Sequence, residues 1–298
     1  MISILIPTYN YNVYALVSEI HEQCTKEGVV FEIIVYDDAS DTFQDENNAI
    51  NTLDYCSYKI LNKNIGRSAI RNLLAENASF PWLLFLDADV FPDKKDFIKN
   101  YLTELSKNKA EVIYGGIIYQ KNKPEAKKLL RWIYGNEREA LSLKDREKNI
   151  YLSFLTLNFL IQKQVFKRVH FNEEIPNLRY EDMLFSYDLM VNKITVMHID
   201  NVVIHYGIEN SELFLKKTEE SLIGLSFLLN HDYIPVNYAL ITRVYASLKK
   251  KRLLCIPNFF YTLFENRFRK NLKGKHPKLW VYDLYRLGYF ISLNKASQ

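Results

Sequence analysis

Short apolar runs alternate with helix-spaced segments through the first part of the chain. Ile2–Ile6 reads as a buried strand ended by Pro7, with further strands at Glu32–Tyr36, Tyr58–Leu61, Trp82–Leu86 and Glu111–Ile118. Such continuous apolar runs mark strands covered on both faces. Between them, Tyr14–Glu27 places Leu16, Ile20 and Cys24 on one stripe with Gly28 past its end, the mark of an amphipathic helix and its stop. Thr42–Leu53, Arg67–Ala78 and Lys94–Lys107 are expected to be helical as well, the first with an Asn-rich middle that weakens it. This alternation predicts an α/β fold: a mostly parallel sheet with helices on both faces. Ligands in such sheets bind beyond the carboxyl ends of the strands. The polar clusters fall at those ends: Thr8-Tyr9-Asn10, Asp37-Asp38, Asn62–Arg67 and Asp87–Asp89.

The strongest local signal is Leu84-Phe85-Leu86-Asp87-Ala88-Asp89, an apolar strand that delivers two carboxylates one residue apart. Strand alternation puts Asp87 and Asp89 on the same side. Two hard oxygen ligands with open positions suit Mg²⁺ or Mn²⁺ shared with substrate phosphates. Taken alone, the pair also reads as two solvated turn aspartates. The chain has neither GxGxxG nor GxxxxGK[ST], which argues against a dinucleotide-binding Rossmann domain and a P-loop NTPase.

Five strings in order, PTYN at 7–10, EIIVYDDASD at 32–41, NKNIGRSAIRN at 62–72, FLDAD at 85–89 and YED at 180–182, resemble family-2 glycosyltransferases of the GT-A fold. The likeness, to inverting enzymes of the bacterial surface-polysaccharide type, covers roughly residues 1–210. It implies a GT-A nucleotide-diphospho-sugar transferase sheet and transfer of a sugar from a nucleoside-diphosphate donor, UDP first, with GDP and dTDP behind. Thr8 and Asp38 would contact the nucleoside, with Asp38 accepting from the base. Arg71 and the Asn64–Gly66 turn, with Asn64 and Gly66 at its ends, would lie near the donor. By the same likeness Asp87 lies near the ribose and the metal, Asp89 is the direct Mn²⁺ or Mg²⁺ ligand, and His205 supports metal or diphosphate. A divalent cation and an arginine can offset charge on a leaving diphosphate without proton transfer.

An acceptor hydroxyl is a poor nucleophile, so a carboxylate must take its proton as it attacks. Asp182 matches the family's catalytic base, and Glu181 would orient the acceptor. A single base opposite the leaving group implies direct displacement with inversion. Simpler roles compete at each position. Asp38 could cap the next helix, Arg71 could be a helix-surface charge, and the acidic pair could only favour a helix N-terminus. His205 could be a structural hydrogen-bonder, as His198 is read to be. Two departures stand out: Ala39 replaces a common Gly, so that turn must tolerate a Cβ, and Leu157 precedes the acceptor-side Asn158 where a Gly is common.

Residues 1–210 are therefore expected to form the catalytic domain, with 1–120 as the nucleotide-sugar half and 121–210 as the acceptor half. Lys127–Lys148 has helical spacing with Leu130, Ile133 and Tyr134 as its stripe, and reads equally as an acceptor cover or a packing helix. Residues 211–298 form a helical, basic and aromatic remainder. Arg243–Lys278 holds eleven Lys and Arg against the single acid Glu265, a local charge of +10, in a chain whose net charge is +4. Residues 1–242 carry −7. Cations beside Phe259, Phe260, Tyr261 and Phe264 suit an anionic membrane surface and a lipid-linked or glycan acceptor, or else the outer face of a packed tail. No nucleic-acid-binding motif accompanies the charge, so no nucleic acid partner is expected.

Three scattered cysteines without CxxC pairing fit a reducing compartment. No basic n-region precedes the first apolar run, and Ser221–Tyr238 is broken by Asn230, His231, Asp232 and Pro235. These features predict a cytoplasmic enzyme, peripheral at most on the cytoplasmic face of the inner membrane. A sugar-nucleotidyltransferase would also use a metal on such a sheet, but PTYNYNVY lacks its Gly-rich basic loop. A scaffold that has lost activity would not need Asp38, Asp87, Asp89 and Asp182 together.

Overall fold

The computed structural model describes residues 1–107, 109–177 and 179–296. The chain forms two compact units, one of residues 1–120, 139–173 and 181–207, the other of residues 121–138, 174–180 and 208–298. In chain order the elements are β1 (Ile2–Thr8), α1 (Tyr14–Glu27), β2 (Phe31–Asp37), α2 (Gln44–Asn48), β3 (Cys56–Ile60) and α3 (Arg67–Asn77). There follow β4 (Trp82–Leu86), β5 (Val90–Pro92), α4 (Phe97–Ser106), β6 (Val112–Tyr114), β7 (Ile117–Tyr119), α5 (Leu129–Tyr134) and α6 (Leu143–Arg146). Then come β8 (Asn158–Gln162), α7 (Lys163–Arg168), α8 (Glu181–Val191), β9 (Val196–His198) and β10 (Val203–His205). The helices α9 (Ser211–Asn230), α10 (Leu240–Lys250), α11 (Cys255–Leu272) and α12 (Leu279–Ala296) complete the chain.

The first unit is built on a seven-stranded sheet in the order β3-β2-β1-β4-β8-β6-β9. β8 is antiparallel to both its neighbours, and the other pairs are parallel. The run β3-β2-β1-β4 therefore aims four carboxyl ends at one edge. β1 does not stop at Pro7 as expected. It pairs with β2 through Thr8, whereas its pairing with β4 ends at Leu5, so the missing proline N–H falls where no partner is needed. A second, three-stranded sheet in the order β5-β10-β7 stands beside the end of β4.

Three expected elements differ. Thr42–Leu53 contains a five-residue helix, Gln44–Asn48, and a 3-10 turn, Ala49–Thr52, because Phe43 is left-handed (φ 63°) and delays the start. The expected strand Glu111–Ile118 splits into β6 and β7, which join different sheets. Gly116 at φ 94° turns the chain between them, a conformation open to glycine. Lys127–Lys148 is not one helix: α5 gives way to a π-helical turn over Gly135–Glu139, and α6 follows separately.

Under the site-bearing edge lies a core of phenylalanines. Phe85 stacks on Phe159 at 4.9 Å and Phe171 on Phe185 at 4.3 Å, with Phe166 and Phe154 filling between. Burying such rings supplies much of a core's apolar area, and here it fixes the ends of β4, β8 and α8 together. In the second unit, α11 and α12 pack with Phe214 and Leu215 of α9 and Leu130 of α5, around Tyr261, Tyr282 and Tyr285. Asn210 caps α9 by accepting from the Leu213 N–H at 2.9 Å.

Candidate active site

At the end of β2 the backbone N–H of Asp38 donates to the Thr8 carbonyl at 2.9 Å, which locks the β1 and β2 exits side by side. Asp37 faces inward, accepting from Ser40 N–H at 2.7 Å and the Tyr58 hydroxyl at 2.6 Å. Asp38 is buried and accepts from the backbone N–H groups of Ile65 (2.7 Å) and Gly66 (3.0 Å), while the Asn64 amide donates to its carbonyl at 3.1 Å. Asp38, Asn64 and Gly66 thus form one rim. Each carboxylate oxygen keeps a further lone pair for a ligand. Gly66 precedes α3 at φ 86° and ψ 171°, which a side chain would strain. Thr8 is buried beside them, its hydroxyl donating to the Tyr11 carbonyl at 3.2 Å. Ala39 is left-handed (φ 61°), so the turn does tolerate a Cβ.

Arg71 rises from α3 into the same edge. Its guanidinium bonds Asp87 Oδ1 at 2.6 Å, approaches Glu181 Oε1 at 4.0 Å and lies 5.4 Å from the Phe171 ring centre. It is a buried group rather than a helix-surface charge. Buried charges persist when paired, and here two carboxylates from β4 and α8 hold it. Burial pushes the Asp87 carboxyl up; Arg71 opposes that and Asp89 adds to it. The Asp87 N–H donates to the Leu157 carbonyl at 3.1 Å, which anchors the strand exit to the start of β8.

Asp89 lies two residues on, where Val90 pairs with His205 across β5 and β10. That pairing sets Asp89 Oδ2 3.4 Å from His205 Nε2, while His205 Nδ1 is buried with no hydrogen-bond partner among the described residues. Gly207 backs the carboxylate so closely that a Cβ there would fall 1.9 Å from Asp89 Oδ2. Tyr11 is near enough for its hydroxyl to be pushed up, first by burial, then by Asp89 and Tyr206.

Carboxylate oxygens are the donors that Mn²⁺ and Mg²⁺ favour, and of the two Mn²⁺ is the one more open to an added imidazole. Two donors held cis on one cation at about 2.1 Å would sit about 3 Å apart, close to the Asp89–His205 separation. Among the described residues no three such side chains close around one point, so donor oxygens would complete the shell.

Glu181 and Asp182 open α8. Glu181 lies 3.6 Å from Arg67, and Asp182 Oδ1 accepts from the Met183 N–H at 2.7 Å. Burial and then the Glu181 charge push the Asp182 carboxyl up to about 6, against the pull of Arg67 and Arg71. A carboxylate with its pKa near neutrality is suited to take and give a proton.

Asn158 does not face an acceptor. It is fully buried, accepts from the Tyr101 hydroxyl at 2.7 Å and donates to the carbonyls of Gly116 and Asn201 at 3.0 Å each. His198 is structural as expected, with Nε2 2.9 Å from the Ile150 carbonyl. The site also contains Arg67, Gly207 and Tyr11, for which sequence reading gave no role. Arg67 precedes Arg71 by one helical turn, a spacing that places both on one face.

Residues 3–169 match the Glycosyl transferase family 2 model. No curated protein matches the chain. Among solved structures, the mannosyltransferase PcManGT from Pyrobaculum calidifontis, in complex with GDP-Man and Mn²⁺, is similar at 13% identity. The likeness covers 100% of this chain and 87% of that one, with a TM-score of 0.61. S. aureus TarS 1–349 is similar at 16% identity over 100% of this chain and 92% of that one, with a TM-score of 0.47. With a family match running from β1 to the end of α7, over more than half of its length, the chain belongs to glycosyl transferase family 2.

Proposed function

We propose that this glycosyltransferase moves a sugar from a nucleoside-diphosphate donor, UDP-linked first and GDP- or dTDP-linked as alternatives, to a hydroxyl of a glycan or lipid-linked acceptor, with inversion. The observation that carries the reading is Arg71, which bonds Asp87 at the β4 exit and reaches Glu181 beside Asp182. One buried guanidinium thereby ties a donor end to an acid–base end.

In this reading Thr8, Asp38 and the Asn64–Gly66 turn hold the nucleoside. Arg71 and Arg67 face the diphosphate, and Glu181 orients the acceptor. The acceptor oxygen attacks the anomeric carbon, its proton passes to Asp182, and the bond from that carbon to the diphosphate oxygen breaks on the opposite face. Asp89 and His205 would hold Mn²⁺ or Mg²⁺ with Asp87 nearby rather than closing a three-residue cage, and the cation would offset diphosphate charge when bound. The complex of the similar mannosyltransferase with GDP-Man and Mn²⁺ supports a sugar-nucleotide donor and a divalent cation. Free Cys24, Cys56 and Cys255 agree with a cytoplasmic location.

A panel of UDP-, GDP- and dTDP-sugars with Mn²⁺, read first by thermal shift and then by nucleoside-diphosphate release, tests the reading. Release from one donor, with an inverted anomeric signal in the product, is the expected result. Pyrophosphate released from a nucleoside triphosphate would make it a nucleotidyltransferase. Stabilisation without turnover on any acceptor would leave a binding protein.

A further inference from the structure

Helix α11 has two apolar faces. One packs inward in the helical unit through Tyr261, Phe268 and Leu272, with Tyr261 so close to Gly288 of α12 that a Cβ there would lie 2.3 Å from the tyrosine Cβ. The other consists of Ile256, Phe259, Phe260 and Leu263, which are 50%, 60%, 47% and 60% exposed. Their spacing of three and four residues puts them in a single stripe on the side away from Tyr261 and Leu272. Tyr261, grouped by sequence with the outward aromatics, therefore belongs to the core. Exposed Arg267 and Lys270 continue the stripe at its carboxyl end. Exposed Lys249, Lys250, Lys251 and Arg252 lie just before its start, and none of these four forms an ion pair among the described residues.

We propose that this outer face of α11 is a docking surface for an anionic lipid bilayer. The occupant is argued from charge and shape together. The helix is about 27 Å long at the usual rise per residue, flanked at both ends by cations, with an apolar stripe between them. Lying in the plane of the headgroups, it buries the stripe and leaves the cations at phosphate level. Ile256 and Leu263 offer nothing to a nucleic-acid base, and no helix among the described residues is long and apolar enough to cross the membrane. The inference concerns the helical unit alone and does not need the transfer reading.

The test is co-sedimentation of the full chain with phosphatidylcholine vesicles, with and without about a quarter phosphatidylglycerol, at low and high salt. Wild-type protein should bind the anionic vesicles and weaken as salt rises. Each cation near the headgroups is worth about fivefold in partition, so changing Lys249, Lys250, Lys251 and Arg252 to Gln should weaken binding by on the order of several hundredfold. Phe259→Ser with Leu263→Ser should cost tens of fold at either salt, with an unchanged melting curve because both side chains are exposed. The proposal fails if wild-type protein ignores anionic vesicles at low salt, or if the Ser pair binds them as wild type does. It also fails if the stripe instead holds a dimer that the Ser pair dissolves, or if salt-sensitive retention on DNA occurs without vesicle binding.

Discussion

Replacing Gly207 with Ala sets a methyl group 1.9 Å from Asp89 Oδ2 and 2.8 Å from its Cγ. An ordinary carbon–oxygen contact is about 3.3 Å, so the carboxylate oxygen must retreat by about 1.4 Å. Metal–ligand distances tolerate only about 0.2 Å. The displacement therefore exceeds what a bound cation accepts and breaks the register between Asp89 and His205. Gly207 does not occupy the left-handed region, so the alanine brings no backbone strain of that kind. The overpacking itself costs about 1–3 kcal/mol, a fall in Tm of several degrees for a chain of this size. Titrating Mn²⁺ into protein with UDP, by calorimetry or by Mn²⁺ paramagnetic resonance, should show affinity lower by about 10–100-fold, the usual effect of losing a ligand's support. Wild-type Mn²⁺ affinity in a folded Gly207→Ala protein would refute Asp89 as a cation ligand.

Other outcomes follow from the same geometry. If Asp182 is the base it acts deprotonated, so kcat/KM should rise through about pH 6 and level off above it; Asp182→Asn should then lose about 10²–10⁴ in kcat, with donor affinity held within a few-fold. The sign of the linkage is opposite for stability. A carboxyl whose folded pKa lies above its unfolded value destabilises the fold as it ionises, from the unfolded pKa upward, so Asp182→Asn should melt higher than wild type at pH 7.5, with the difference fading as pH falls toward about 3, as calorimetry would show. Asn158→Ala removes three buried hydrogen bonds, although the Tyr101 hydroxyl keeps the Asn158 backbone carbonyl at 3.3 Å and the Gly116 carbonyl keeps the Val203 N–H at 3.2 Å, and should cost about 1–3 kcal/mol in denaturant unfolding. Ala39→Gly relieves a left-handed alanine and should stabilise by about 0.5–1 kcal/mol in the same assay.

The strands and their polar tips were legible because a buried strand must be apolar throughout and can become polar only where it leaves the sheet. Trp82–Leu86 and Tyr14–Glu27 match to the residue for that reason. The order of strands was not legible. β8 inserts antiparallel between β4 and β6 through pairings such as Leu84 with Leu160, and an apolar run carries no mark of its neighbour. The break between β6 and β7 was hidden because Ile117 and Ile118 continue the apolar pattern beyond the turn at Gly116. Within the site, Asp38, Asp87, Asp89 and Asp182 stood out as carboxylates at element ends. Gly207 did not, since its contribution is the absence of atoms beside Asp89. Asn158 was misread because a polar residue at a strand start looks the same whether it faces a ligand or knots three chain segments.

The two hydrogen bonds from Ile65 and Gly66 to Asp38 tie the Asn64–Gly66 turn, the rim proposed to hold the nucleoside, to the exit of β2 by the protein's own bonds. Residues 64–66 need no disorder-to-order step, so donor association should carry little conformational entropy cost at that edge. Its heat-capacity change should then reflect the area desolvated by base and ribose, without an added contribution from loop folding. Amide protons of Ile65 and Gly66 should therefore exchange slowly and change little when nucleotide is added.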